Sequence, residues 1–391
     1  MRRLTSALIV ALVALMCGAL AGYAADPIPI GVSVSQTGPV ALAGQEQILG
    51  AQIAEEYFNK RGGVNGRPFK LNFQDAGSDE ATAINAYQSQ INSAKVVGIM
   101  GPSLSQQMFA AGPFAVRAKI PVLGPSTTAK GIPQIGEFVS RVSAPVAIVA
   151  PNAIKAALDI NKSIKRVVVL YAQNDAFSKS ETETFQQAVK DLQLELVTVQ
   201  TFQTTDTDFT AQITNTLTAR PDLVIISGLQ VDGANLVKQL RELAYKGLIV
   251  GGNGLNTTNI IPICKAHCDG ILVAQAYSPE YKSKINDEFK AMYKDRQKKD
   301  PPQFSAQAFS GIQVFVEALA ALDKKSPIAK MDLAALRVEL NKQLIAGTYD
   351  TPLGEISFKP SPGGEIVQKQ AYVAQIKMDP GGTTGKWVFV K

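Results

Sequence analysis

Histidine is nearly absent from this 391-residue sequence: His267 is the only one. A chain so short of imidazole lacks the commonest general base, and no other hydrolytic or group-transfer apparatus takes its place. It has no G-x-S-x-G elbow, no G-x-x-x-x-G-K-[ST] phosphate loop, and no His, Cys, Asp and Glu cluster at metal-ligand spacing. No enzyme activity, cofactor or metal is therefore expected. Beyond residue 24 no apolar run approaches the roughly 18 residues of a membrane span. There is no long Gly/Ser linker and no short-period repeat. Charge of one sign is not concentrated either: 39 basic and 33 acidic residues are spread along the chain. The densest basic patch, residues 290–299 (KAMYKDRQKK), is interrupted by Asp295, is followed by Asp300 and holds Tyr293 as its only aromatic. That is a poor nucleic-acid footprint and a good solvated helix end.

Cysteine is scarce as well, and one of the three lies in a leader-like segment. Arg2 and Arg3 precede an apolar stretch at residues 7–20, and small residues at 22–24 offer a cut ahead of Ala25. Cys17 follows Leu15 and Met16, which do not suit a lipid-anchor site. The mature chain is expected to be soluble and exported. In an oxidising compartment Cys264 and Cys268, one helical turn apart, would form a small surface disulfide. His267 between them invites a metal reading, but three ligands on five residues make a cramped and incomplete set.

The chain does hold a regular alternation of short β-branched runs with helix-length segments. Residues 28–34 (IPIGVSV), 69–73 (FKLNF), 165–171 (KRVVVLY), 194–199 (LELVTV), 221–226 (PDLVII), 248–251 (LIVG) and 270–274 (GILVA) read as strands. Residues 35–44 (SQTGPVALAG) read as a Gly/Pro loop and 45–60 as the helix after it. The chain is too long for one core. The pattern predicts an α/β protein of two lobes with parallel strands, followed by a C-terminal hairpin.

The central stretch contains two strands, within residues 96–107 (VVGIMGPSLSQQ) and 119–128 (KIPVLGPSTT). Each ends in hydroxyls: Ser103 and Ser105, then Ser126, Thr127 and Thr128. In an open α/β sheet, ligands sit outside the carboxyl ends of the strands. There the N-termini of the following helices offer unpaired N–H groups to an anion. Hydroxyls add rotatable donors without a charge. Each cluster alone also fits plain helix capping. Together they suggest a site for a small anion, most simply a carboxylate.

Several pieces, in this order, resemble the leucine/isoleucine/valine-binding protein family. They are GVSVSQTGP at 31–39, NKRGGVNGRP at 59–68, Asp75, GIMGPSLS at 98–105, IPVLGPSTT at 120–128, TDFT at 207–210, RPDLV at 220–224 and LGEISF at 353–358. The resemblance implies a type I periplasmic-binding-protein fold, with two doubly wound parallel-sheet lobes joined by three crossings near residues 145, 274 and 348. Behind a leader of residues 1–24, lobe 1 would then comprise 25–145 with 275–347, and lobe 2 would comprise 146–274 with 348–391. It also implies a periplasmic substrate-binding component of an ABC importer, partnered by a membrane permease; a sensory ligand-binding component is the other role open to it.

Carried over one residue at a time, the family's carboxylate contacts fall on Ser105, with Ser103 as a rival, and on Thr128. Ser126 would offer its backbone carbonyl to a ligand amino group, and Thr127 would line the wall. Phe177 would cover the ligand where tyrosine is usual, and Phe304 would form an apolar wall. Three positions depart from the family. Ala43 and Leu229 replace aromatics, which implies a wider pocket, and Asn253 stands where an acid would neutralise the ligand's ammonium. Without that acid an ammonium loses a charge-assisted hydrogen bond, and burying it unpaired is costly. The expected ligand is a carboxylic acid without an α-amino group, aromatic or similarly apolar. The alternative is a true branched-chain amino acid binder in which Asp175 or Asp232 supplies the missing charge.

Overall fold

Two parallel sheets organise the computed structural model, which describes residues 26–390. The expected leader and its cut lie outside the described residues. The first sheet contains β1 (Ile28–Val34), β2 (Phe69–Asp75), β3 (Ile99–Met100), β4 (Val122–Gly124) and β5 (Val139–Arg141). Its order is β2-β1-β3-β4-β5, with every pair parallel. β1 is buried along almost its whole length, as a run with no polar alternation requires. The chain winds one way from β1 to β2 and the other way from β3 onward, so a switch point opens between β1 and β3.

The helices of this half are α1 (Ala41–Asn59), α2 (Glu80–Gln88) and α3 (Ser105–Arg117). α1 begins four residues before the expected start, because Gly44 is not a loop glycine. A Cβ at Gly44 would lie 1.6 Å from the carbonyl oxygen of Ser35, so the residue is small to let the helix pass the end of β1. Gly44→Ala should therefore push α1 off the sheet and cost about 1–3 kcal/mol of stability, measured by chemical denaturation.

The second half repeats the winding. After α4 (Val146–Ile160) come β6 (Arg166–Ala172), α5 (Ala176–Asp191), β7 (Glu195–Phe202), α6 (Thr210–Thr218), β8 (Leu223–Ser227), α7 (Gln230–Glu242), β9 (Leu248–Gly251) and β10 (Leu272–Gln275). The five strands are parallel in the order β7-β6-β8-β9-β10, with a switch point between β6 and β8. Cys264 and Cys268 are disulfide-bonded, with Cα atoms 5.4 Å apart. The bond is buried in the lobe core among Ile260, Ile261 and Ile271 rather than lying at the surface.

The chain then returns to the first lobe as α8 (Lys284–Gln297), α9 (Gln303–Lys325) and α10 (Leu333–Ala346). α9 is long and apolar enough to cross a membrane, but it is the core helix of this lobe. β11 (Thr348–Thr351), β12 (Gly354–Ser361) and β13 (Gly363–Gln368) form an antiparallel meander. Its Tyr349, Leu353, Ile356, Phe358 and Ile366 share the first lobe's core. Only β14 (Tyr372–Met378) and β15 (Gly385–Val390) join the second sheet, along β10. The third crossing therefore stands between Gln368 and Tyr372, not near residue 348, and 348–368 belongs to lobe 1. Gln368 ties two crossings together, donating from Nε2 to the carbonyls of Ala276 and Leu353.

Candidate functional site

The two switch points face each other across a narrow cavity of about 30 Å³. Five helices begin at its wall. Ala43 lies in the first turn of α1, Ser105 opens α3, Phe177 is second in α5, Leu229 and Gln230 lead into α7, and Phe304 is second in α9. Asn253 and Gly254 come from the turn after β9, and Ser103, Leu104 and Ser126 from the loops after β3 and β4. Each helix start brings the positive end of its dipole to the wall, with Asp175 and Asp232 capping α5 and α7 behind it. Among the described residues, no Asp, Glu, Lys, Arg or His lines the cavity. The wall is thus electropositive without a cation, which suits a small anion.

The expected widening is absent: the cavity that Ala43 lines with Leu104, Phe177, Leu229 and Phe304 is narrow. Thr127 and Thr128 are not brought to the cavity either. Thr128 lines a separate groove with Lys130, Gln134 and Ser180, and both hydroxyl oxygens are buried without a partner. Arg141 Nη1 holds this loop by donating to the carbonyls of Thr127 (3.0 Å) and Ala129 (2.7 Å). Arg141 is itself held by Glu365 on β13.

Hydroxyl protons distinguish the remaining serines. Ser103 donates to Gln47 Oε1 (2.5 Å) and accepts from the N–H of Ser35 (3.0 Å). Gln47 Nε2 donates to Ser126 (2.7 Å), and the Ser126 hydroxyl donates to the carbonyl of Ser103 (2.6 Å). Both of those protons are spent on the scaffold. Ser105 Oγ accepts from the N–H of Ala129 (3.2 Å), and its own proton has no protein acceptor among the described residues. Ser105 is therefore the hydroxyl that can still donate into the cavity.

Asn253 is also read from its partners. Its Oδ1 accepts from Gln303 Nε2 (2.9 Å) and Asn256 Nδ2 (3.3 Å). What remains is the amide NH₂, a donor where an ammonium would need an acceptor. The two acids proposed as substitutes do not line the cavity. Asp175 Oδ2 caps α5, accepting from the Ser178 N–H (2.7 Å) and O–H (2.8 Å). Both Asp232 oxygens accept from the N–H of Leu229 (3.1 Å). Glu181, behind Asn253, accepts from its N–H (2.8 Å) and from Ser227 (2.6 Å). Burial pushes Glu181 and Asp232 up to about 7 and raises Asp175, so these carboxyls hold less negative charge than exposed ones would.

The lobes are latched shut at two further places. Glu46 of α1 accepts from Thr257 (2.5 Å) and Asn259 (2.8 Å) of the second lobe. The N–H of Lys130 donates to Ser180 of α5 (2.9 Å). Sequence reasoning missed Glu46, Gln47, Arg141 and Gln230. The usable signal was Glu46-Gln47 just inside a helix that follows a strand end.

A model described as periplasmic binding protein matches residues 27–384. Leu/Ile/Val-binding protein homolog 3 of Brucella melitensis is 26% identical over 322 residues, covering 80% of this chain and 84% of that protein. The branched-chain amino acid transporter substrate-binding protein LivJ of Streptococcus pneumoniae, solved with isoleucine, superposes with a TM-score of 0.80 at 22% identity. That match covers 93% of this chain and 100% of that one. A solute-binding protein of an ABC transporter from R. palustris, solved with benzoate, superposes with a TM-score of 0.78 at 19% identity, covering 93% and 96%.

Proposed function

The chain belongs to the periplasmic binding protein family, and we propose that it captures a small apolar carboxylate lacking an α-amino group for an ABC-type importer. The family's members are binding proteins rather than enzymes, and the proposal contains no chemical step. One observation carries it: five helix starts, the free Ser105 proton and the Asn253 NH₂ surround a cavity that, among the described residues, no ionisable side chain lines. Every polar group there with a proton to spare suits an anion, and no carboxylate is placed to receive an ammonium. Among similarly folded proteins, one binds isoleucine and another benzoate. The donor-rich wall favours the second kind of ligand.

The acid docks on the first lobe, its carboxylate toward Ser105 and the first turn of α3, and the cavity of about 30 Å³ widens to hold its apolar part. The second lobe then closes, bringing Phe177 and Leu229 over the apolar part and the Asn253 NH₂ toward the carboxylate. Contacts made only in the closed form drive that closure. Periplasmic location and delivery to a permease belong to the same proposal.

Titration calorimetry with benzoate and with leucine tests it. Benzoate is expected to bind and leucine not; tight leucine binding with no response to benzoate would overturn the reading. Ser105→Ala removes one hydrogen bond to a charged group, worth about 1.5–3 kcal/mol, and should weaken benzoate roughly 10- to 100-fold. Thr128→Val, at a residue that lines the neighbouring groove and not the cavity, should change affinity by no more than about threefold.

A further inference from the structure

The basic stretch at 290–299 reads in the sequence as a solvated helix end, but the fold builds a groove on it. Lys290, Lys294 and Lys299 line that groove together with Lys282 and Lys386. Its volume of about 650 Å³ lies within the roughly 300–1,000 Å³ usual for small-molecule sites. Lys290 and Lys294 stand on α8 and Lys282 and Lys299 on either side of it, all in the first lobe, while Lys386 stands on β15 of the second. Gln275 and Pro279, at the second crossing, line the groove as well. Two acids, Glu280 and Asp300, accompany the five lysines. Asp300 is paired with Lys294 (2.8 Å), and Asp287 takes Lys290 (3.2 Å). Lys299 donates to a neutral oxygen, Asn259 Oδ1 (3.1 Å). Lys282 and Lys386 have no ion pair among the described residues, so each lobe brings one lysine that nothing neutralises. A cleft lined mostly by one sign of charge focuses its field and gathers the opposite sign. A second feature sits beside the charge. Trp387 and Phe389, two residues apart on one face of β15, both line the groove and are half-buried.

We propose that this groove is a second ligand site, for a small polyanion that carries an aromatic ring. Its anionic groups pair with Lys282 and Lys386, and its ring lies against Trp387 and Phe389. Several anionic groups are needed because the lysines without an acid partner come from both lobes, and one charge cannot serve both walls. The ring is needed because aromatic side chains reward a flat π-system that a plain anion lacks. This site is separate from the central cavity, where no lysine lines the wall, and the proposal does not depend on which ligand that cavity takes.

Trp387 is the chain's single tryptophan, so its fluorescence reports on the groove. The test is a fluorescence titration, with calorimetry alongside, using trimesate, a benzene ring bearing three carboxylates, and tricarballylate, which bears three carboxylates on an aliphatic chain. Trimesate should bind, change the tryptophan emission, and bind about fivefold or more tighter than tricarballylate. Reversing both lysines, Lys282→Glu with Lys386→Glu, should weaken trimesate about tenfold or more. Ser105→Ala, in the central cavity, should change trimesate affinity by less than about threefold. No trimesate binding, equal affinity for the two acids, or a trimesate affinity that survives the double reversal each overturns the proposal. Trimesate binding lost in Ser105→Ala places the acid in the central cavity and overturns it too. Tight leucine binding in that cavity, which would end the carboxylate reading, leaves these outcomes as they are.

Discussion

Replacing Asn253 by aspartate is expected to invert the ligand preference. The wild-type side chain offers an NH₂ group to the cavity because Gln303 and Asn256 occupy its oxygen. Aspartate keeps that oxygen for both donors and turns the second oxygen into the site. A carboxylate ligand then meets a like charge at roughly 5 Å; with an effective dielectric constant of about 20 this costs about 3 kcal/mol, on the order of 100-fold in affinity. The same carboxylate gives an ammonium the partner it now lacks. Calorimetry should show benzoate lost and leucine gained. Unchanged benzoate affinity in Asn253→Asp would place the ligand away from this residue.

The second large effect is on pH. Glu46 bridges the lobes from α1, and its Oε2 is buried without a partner among the described residues. Burial pushes it from 4.5 up to about 8, although the hydrogen bond from Thr257 and the charge of Lys299 act the other way. Tyr293 is the other titratable group coupled to it, and its own phenol is pushed above the usual range. Opening the lobes returns Glu46 to water and to its ordinary value, so closure takes up a proton. The sign follows. Closure is fully favoured below the ordinary carboxyl range, and that advantage is lost as pH rises toward 8. Affinity should fall between about pH 5 and pH 8, at most about tenfold per unit. Glu46→Gln keeps the oxygen that Thr257 and Asn259 need but cannot titrate. It should bind more tightly than wild type near pH 8 and flatten this part of the profile. Glu181 and Asp232 titrate in the same window in both proteins, so the difference between the two curves isolates Glu46. Parallel curves would mean that Glu46 is not buried by closure.

The parts of the site legible in the sequence are those where a strand end runs straight into a helix start. Ser105, Phe177 and Leu229 all stand at such junctions, and the winding of a doubly wound sheet brings them to one crevice. Thr127 and Thr128 stand at one too, yet neither lines the cavity. Their loop is held by Arg141, whose partner Glu365 is 224 residues away in sequence, and no local pattern reports that pairing. Gln47 was illegible for another reason: a polar residue inside a helix reads as a solvent face, whereas this one is wholly buried and relays between Ser103 and Ser126. The meander of β11–β13 alternates as an antiparallel sheet should, but alternation says only that one face is buried, not against which lobe. Gly44 misled the helix boundary because a glycine needed for close approach looks the same as one needed for a turn.

A crystal structure of the benzoate complex tests most directly whether uncharged donors hold the ligand's negative end. The carboxylate should lie about 2.6–3.2 Å from Ser105 Oγ and from an N–H of the first turn of α3, with no lysine or arginine in reach. A carboxylate paired instead with a cationic side chain, such as Lys130 or Arg141 in the neighbouring groove, would contradict the account.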